Sequence, residues 1–198
     1  MADRHDGRTT ARRGAVTFRP LRHDDFALLG RWLAAPHVQR FWREPADAAA
    51  VEARYGPSVD GSDPTECFIV LDGGDAAVGF AQRYLMADEP AWCECLAVAG
   101  SFADAAGIDY LIGPAALTGR GLGPAMIRRL VDDTWMAHRQ VTAVVVGVAV
   151  DNRRSWRALE KAGFARVWTG SLASDDRSDA GRQHVYVLGR EDHQVKAQ

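Results

Sequence analysis

Cysteine is scarce in this chain of 198 residues, limited to Cys67, Cys93 and Cys95. An odd count without framework spacing excludes an obligatory disulfide scaffold and fits a reducing, cytoplasmic setting. Cys93-Glu94-Cys95 lacks the second Cys or His pair that would complete a zinc site, so no metal is expected. Alternation along a strand would put both of these cysteines on one face, where packing is their expected role. The chain also lacks any apolar run near the roughly 20 residues that cross a bilayer, so no membrane contact is expected. Arg4, Arg8, Arg12 and Arg13 precede no apolar segment, and a secretory leader is not expected either. Net charge is only −2, which excludes the strongly basic balance of a general nucleic-acid binder. No internal repeat is visible.

The bulk composition is that of a folded domain. Hydrophobic residues make up 47% and charged residues 25%, and the length suits one domain with a full core. The expected organisation is a disordered arm over residues 1–14, a domain over 15–190 and a tail over 191–198.

The most informative stretch runs from Gly107 to Asn152. Gly119-Arg120-Gly121-Leu122-Gly123 packs three glycines into five residues, between an apolar run and a helical one. Glycine lets backbone N–H groups converge without obstruction by Cβ, and at a helix start such donors make an anion site. Pro124 fits the first helical turn, where a missing N–H costs nothing. Met126, Ile127, Leu130, Val131 and Trp135 then recur at helical spacing. The P-loop pattern is absent, because no Lys followed by Ser or Thr comes after the glycines. The dinucleotide pattern GxGxxG fails on spacing.

Taken in order, Ala15–Arg19 alternates as a first strand, ended by Pro20. His23-Asp24-Asp25 caps a helix whose apolar face is Phe26, Leu28, Leu29, Trp32 and Leu33. Pro36 breaks that helix, and Val38, Phe41 and Trp42 form a short aromatic element. Asp47–Tyr55 reads as a helix closed by Gly56-Pro57. Glu66–Leu71 and Ala76–Leu85 read as a hairpin around Asp72-Gly73-Gly74-Asp75. Ala91–Ala99 reads as a further strand or a long loop edge. Gly107–Gly113 is a strand, Ala125–His138 a helix, and Val141–Val150 a strand buried on both faces. Asp151 or Asn152 caps a last helix that ends at Gly163. Ala165–Gly170 and His184–Leu188 are closing strands, separated by a polar, mobile loop over Ser171–Arg182.

Charge is unevenly placed. Between Met86 and Tyr110 there are five acids (Asp88, Glu89, Glu94, Asp104 and Asp109) and no Lys or Arg. Such a cluster is either a solvated surface or a rim that attracts a cationic substrate. Asp109 is the telling member, since its strand otherwise offers Ile108, Tyr110, Leu111 and Ile112. A carboxylate there is costly unless it lines a cleft or meets a partner such as Arg.

Thr118-Gly119-Arg120-Gly121-Leu122-Gly123 resembles the pyrophosphate loop of the GCN5-related N-acetyltransferases, with Thr where Gln or Arg is usual. The segment from Asp151 to Phe164, DNRRSWRALEKAGF, resembles the same family's Asn-led helix, with Leu159 where Tyr is common. Gly107-Ile108-Asp109, Gly79-Phe80-Ala81-Gln82 and Phe41-Trp42 are similar to segments of the aminoglycoside 6′-N-acetyltransferases within that family. The resemblance covers Val16 to Val187.

That resemblance implies an α/β (α+β) fold: a single domain whose mixed, mostly antiparallel sheet is flanked by helices. It also implies a splayed pair of parallel strands at a site for acetyl-CoA, the co-substrate. The N–H groups of Arg120, Gly121, Leu122 and Gly123 would grip the pyrophosphate, with Thr118, Gly119, Pro124, Asn152 and Trp156 around them. Leu111 and Ile112 would run along the pantetheine arm. Asp109 would be the acid–base residue; with the common Tyr missing, either Tyr110, another group or water would have to give the thiolate its proton, or the thiolate would leave unassisted. Trp42, Gln82, Glu94 and Asp109 would border a cationic small-molecule amine, in a monomer or homodimer.

Two departures stand out. Leu159 removes the common proton donor, and Gly147 stands where the aminoglycoside enzymes can carry an acidic substrate contact. Two alternatives follow. One is a siderophore-type acyltransferase for lysine or hydroxylysine side chains, whose members tend to have His at the place of Asp109. The other is a non-catalytic acyl-CoA-binding module.

Overall fold

The computed structural model describes residues 16–191, so the N-terminal arm and the tail beyond Glu191 lie outside it. Among the described residues, seven strands follow one another as β1 (Val16–Pro20), β2 (Glu66–Asp72), β3 (Ala77–Leu85), β4 (Ala105–Ile112), β5 (Ala143–Ala149), β6 (Ala165–Ser171) and β7 (Arg182–Gly189). They form one sheet in the order β1-β2-β3-β4-β5-β7-β6. All neighbours are antiparallel except β4 and β5.

That exception creates the site. The parallel pairing covers only Ala105, Ala106 and Gly107 against Ala143, Val144 and Val145. Beyond Gly107, β4 stays bonded to β3 as far as Ile112, and β5 stays bonded to β7 as far as Ala149. Each strand is held on its outer side and released on its inner side. A gap opens in the middle of the sheet, bordered by Ile108–Ile112 on one side and Val146–Ala149 on the other.

Helices cover both faces, as α1 (Phe26–Leu33), α2 (Pro36–Gln39), α3 (Ala48–Val59), α4 (Pro90–Leu96), α5 (Leu122–Ala137) and α6 (Arg153–Ala162). Strand alternation sorts the core into two layers. Val70, Val78, Ile108, Val144 and Val146 pack with Met126, Ile127, Leu130 and Leu159 of α5 and α6. Ile69, Phe80 and Leu111 pack on the other face with Leu29, Trp32, Leu33, Val51 and Tyr55 of α1 and α3. Neighbouring residues of β4 therefore serve opposite sides of the sheet.

The segment expected as a strand or loop edge over Ala91–Ala99 is instead helix α4. Pro90 occupies its first turn, where the fixed φ favours a helix and no N–H is lost. Trp92 and Leu96, four residues apart, reach the same small core against Val145 and Val185. Cys93 and Cys95, two residues apart, imitate strand periodicity; on a helix the two do not share a face, and both are unpaired. Helix α3 also continues through Gly56 and Pro57 to Val59, because Asp47 caps its start and Pro57 falls within its last turn. A short 3-10 turn, His23–Asp25, leads into α1. The segment expected as a mobile loop, Ser171–Arg182, has a 3-10 turn at Arg177–Asp179 and fixed contacts described below.

Candidate active site

The loop after β4 begins the site. Gly119 and Gly121 take φ values of 76° and 86°, a left-handed conformation that side chains resist. Gly121 is the N-cap of α5, so the unpaired N–H groups of the first turn face outward, where the helix dipole is positive. Helix α6 starts close by, its Asn152 side chain accepting from the Ser155 backbone N–H at 3.3 Å.

Thr118, Gly119, Gly121, Gly123 and Pro124 line a cavity of about 760 Å³ with Leu111, Ile112 and Asn152. Five cations also border it: Arg40 from the end of α2, and Arg153, Arg154, Arg157 and Lys161 from α6. The spacing of 153, 157 and 161 places three of these on one helix face, a pattern readable in the sequence but passed over there. The cavity suits a polyanion with an apolar arm. Arg120, Leu122 and Trp156 line neither this cavity nor the next. Arg120 is exposed, and Trp156 donates its indole N–H to the Val150 carbonyl at 3.1 Å.

A second cavity of about 740 Å³ opens on the far side of the gap. Its lining carries Glu44, Glu89, Glu94, Asp109, Asp175, Asp176 and Asp179 against a single Arg54. Glu89, Glu94 and Asp109 belong to the acidic stretch singled out in the sequence; Asp88 and Asp104 do not reach the cavity. Asp175, Asp176 and Asp179 come from the segment between β6 and β7, which arches over the opening. There Arg43 donates to the Arg177 carbonyl at 2.9 Å, Ser178 Oγ donates to the Trp42 carbonyl, and Cys95 Sγ contacts the Ala173 carbonyl at 2.9 Å. Sequence reading missed this contribution because it depends on contacts more than 130 residues apart.

Asp109 lies at the floor of the acidic cavity. It keeps a small accessible face toward the cavity and is enclosed by protein elsewhere. Burial, the largest cause, and then the negative charge of Asp179 push its carboxyl up to about 6, while a hydrogen bond from Gln82 opposes the rise. Gln82 is its direct cross-strand partner and donates Nε2–H to Oδ2 at 2.9 Å. Trp42 packs edge-on against Phe80 at 6.0 Å and lines both cavities.

The two cavities share Phe41, Trp42, Tyr110, Asn152 and Ser155. Tyr110 Oη lies 2.8 Å from Ser155 Oγ, joining β4 to the start of α6. Leu159, one turn further along α6, is fully buried in the core. A basic cavity and an acidic one thus meet in the gap between β4 and β5.

Residues 22–172 match the model of the acetyltransferase (GNAT) domain. The chain belongs to the GNAT acetyltransferase family. It is similar to the aminoglycoside N(6′)-acetyltransferase type 1 of Klebsiella pneumoniae, 31% identical over 159 residues, covering 78% of this chain and 76% of that protein. The protein of the same name from Serratia marcescens matches with the same figures. Among solved structures, aminoglycoside acetyltransferase AAC(6′)-Ib in complex with coenzyme A and kanamycin superposes with a TM-score of 0.75. It is 26% identical, over 93% of this chain and all of that one. A structure of AAC(6′)-Ib with paromomycin and acetyl-CoA gives the same score and identity. The seven-stranded sheet with a single parallel pair is this GNAT family's architecture. No helix among the described residues is long and apolar enough to cross a membrane.

Proposed function

We propose that this GNAT protein transfers acetyl from acetyl-CoA to a primary amine of a polycationic small molecule, the 6′-amino group of an aminoglycoside. The observation that carries the reading is the meeting of two oppositely charged cavities at Tyr110, beside the Asp109 carboxylate that lines the acidic one. The basic cavity suits the phosphates of CoA, with the glycine loop for the pyrophosphate and the cations of α6 for further phosphate charge. Leu111 and Ile112 offer apolar and backbone contact to the pantetheine arm. The acidic cavity, bordered by Trp42, Gln82 and Glu94, suits an acceptor with several ammonium groups. Unpaired Cys67, Cys93 and Cys95 fit a cytoplasmic enzyme.

The chemistry follows from the charges. An alkylammonium with an ordinary pKa near 10.4 would give its proton to a carboxyl near 6 only at a cost of about 6 kcal/mol. Bond formation between nitrogen and the thioester carbon makes the nitrogen far more acidic. The acceptor attacks as the free amine, its ammonium proton lost to water, and Asp109 takes the second nitrogen proton as the C–N bond forms, with Gln82 fixing the carboxylate's orientation. With a pKa of about 6, Asp109 is ionised at neutral pH and basic enough to accept.

The test is thiol release from acetyl-CoA with kanamycin and tobramycin, comparing wild type with Asp109→Ala. Turnover that requires the aminoglycoside and collapses in the variant supports the reading. Full activity of the variant removes Asp109 from the mechanism. A wild type that binds acetyl-CoA and leaves both drugs unmodified overturns the aminoglycoside assignment. An acyltransferase for lysine-type side chains, or a binding module, would then take its place.

A further inference from the structure

Breaking the C–S bond releases a thiolate that must gain a proton. Leu159 is buried among α5, α6 and the sheet and has no proton to give. Five residues line both cavities, and so border the route between phosphate site and acceptor. Phe41 has no donor, and neither Trp42 nor Asn152 passes protons readily. The remaining two are the hydroxyls of Tyr110 and Ser155, 2.8 Å apart.

Strand geometry puts this pair opposite the base. Asp109 bonds to Gln82 and lines only the acidic cavity, whereas Tyr110 packs toward the α5–α6 core and bonds to α6. Adjacent residues of one strand thus present a proton acceptor to one face of the gap and a hydroxyl to the other. Ser155 is held in place by its backbone bond to the Asn152 cap.

Resting on the acetyl-transfer reading, we propose that Tyr110 and Ser155 act as one unit that delivers the proton to the departing thiolate of CoA. As the C–S bond breaks, its electron pair goes to sulfur and an S–H bond forms with a hydroxyl proton of the pair. The partner hydroxyl refills that oxygen and is itself refilled by water from the cavity. An ammonium acceptor loses two protons overall. The one given to cavity water before attack restores the proton that water passes to the pair and so to sulfur, and the other leaves through Asp109 to solvent. Burial raises the Tyr110 phenol well above its ordinary range, so the pair stays protonated and passes protons without a free phenolate.

The experiment compares wild type, Ser155→Ala, Tyr110→Phe and the double variant, using kanamycin as acceptor. Two donors are used: acetyl-CoA, and an S-acetyl aryl thioester whose thiol is several pKa units more acidic. With acetyl-CoA, kcat falls on the order of 10²-fold in each single variant, and the double loses little more, as expected of one unit. The dissociation constant for CoA stays within about threefold, and the loss shrinks to a few-fold with the aryl thioester, whose leaving group needs no proton. Single variants that keep wild-type kcat, or that lose equally with both donors, overturn the assignment while leaving acetyl transfer intact. A wild type inactive toward every amine overturns the parent reading and this one together.

Discussion

Gln82 and Asp109 face each other across β3 and β4, and the amide of one donates to the carboxylate of the other at 2.9 Å. This bond favours the ionised form and opposes the burial that, on balance, leaves the pKa raised to about 6. Gln82→Leu therefore moves the acidic limb of the kcat/KM profile to higher pH, on the order of one unit. A pH series between 5 and 8 checks the shift; an unmoved limb would show that Asp109 does not set it.

The same carboxylate weakens the fold. Asp109 has a higher pKa folded than its ordinary value, so the native state prefers its protonated form. Its effect on stability worsens as pH rises from about 4 to about 6 and stays unfavourable above. Asn does not titrate and can still accept from Gln82. Asp109→Asn is thus expected to stabilise the protein at pH 8 by about 1–3 kcal/mol while losing most activity. Urea unfolding at pH 4 and pH 8 checks this, since the gap between variant and wild type should open only at the higher pH.

What the sequence made legible, and what it hid, follows from the range of the interactions. The glycine loop, the Asn152 cap and Asp109 on an apolar strand are local patterns, and each lies where its neighbours in sequence imply. The stretch around Cys93 misleads because Cys93 and Cys95 sit two residues apart, as on one face of a strand, while Pro90 favours a helix. In the sequence, the carboxylates of Asp175, Asp176 and Asp179 show only as loop polarity. Their place in the acidic cavity is set by Arg43 and Trp42, far away along the chain. Ser155 was invisible as a partner of Tyr110 for the same reason.

Two glycines separate binding from folding. At Gly121 an added Cβ meets nothing within 4 Å, but φ is 86°. Gly121→Ala should cost about 1–2 kcal/mol of backbone strain and raise KM for acetyl-CoA several-fold, with kcat little changed. At Gly79 an added Cβ would lie 2.4 Å from the Leu111 carbonyl oxygen, which is backbone and cannot turn aside. Gly79→Ala should lower Tm more than Gly121→Ala does and distort β4 beside Asp109. Thermal melts alongside acetyl-CoA titrations distinguish the two.

Arg19 pairs with Asp25 through two bonds of 2.6 and 2.7 Å, and Asp25 also accepts from the Arg22 backbone at 3.0 Å. The hydrogen bond from Arg19, helped by the one from Arg22, holds the Asp25 carboxyl below its usual range. That stabilisation is present above the unfolded pKa near 3.9 and is lost as pH falls through the lowered folded value. Asp25→Asn should cost about 2 kcal/mol at pH 7 and much less at pH 3. Chemical unfolding at the two pH values, with turnover on kanamycin at pH 7 as a control for the distant site, checks it.

Asp179 supplies the opposite control on Asp109. Its negative charge raises the Asp109 pKa, whereas the Gln82 amide lowers it. Asp179→Asn should move the acidic limb of kcat/KM to lower pH, the reverse of Gln82→Leu. The variant also removes one carboxylate from the acidic cavity, so KM for a polyamine acceptor should rise several-fold and more steeply at low salt. Asn can still accept from Ser174 Oγ, which bonds to Asp179 Oδ2 at 2.6 Å, and the arch over the cavity should stay in place. Opposite pH shifts in the two variants would locate the titrating base at Asp109, because the Gln82 amide lowers its pKa and the Asp179 charge raises it. Shifts in the same direction would instead point to a different group governing the profile.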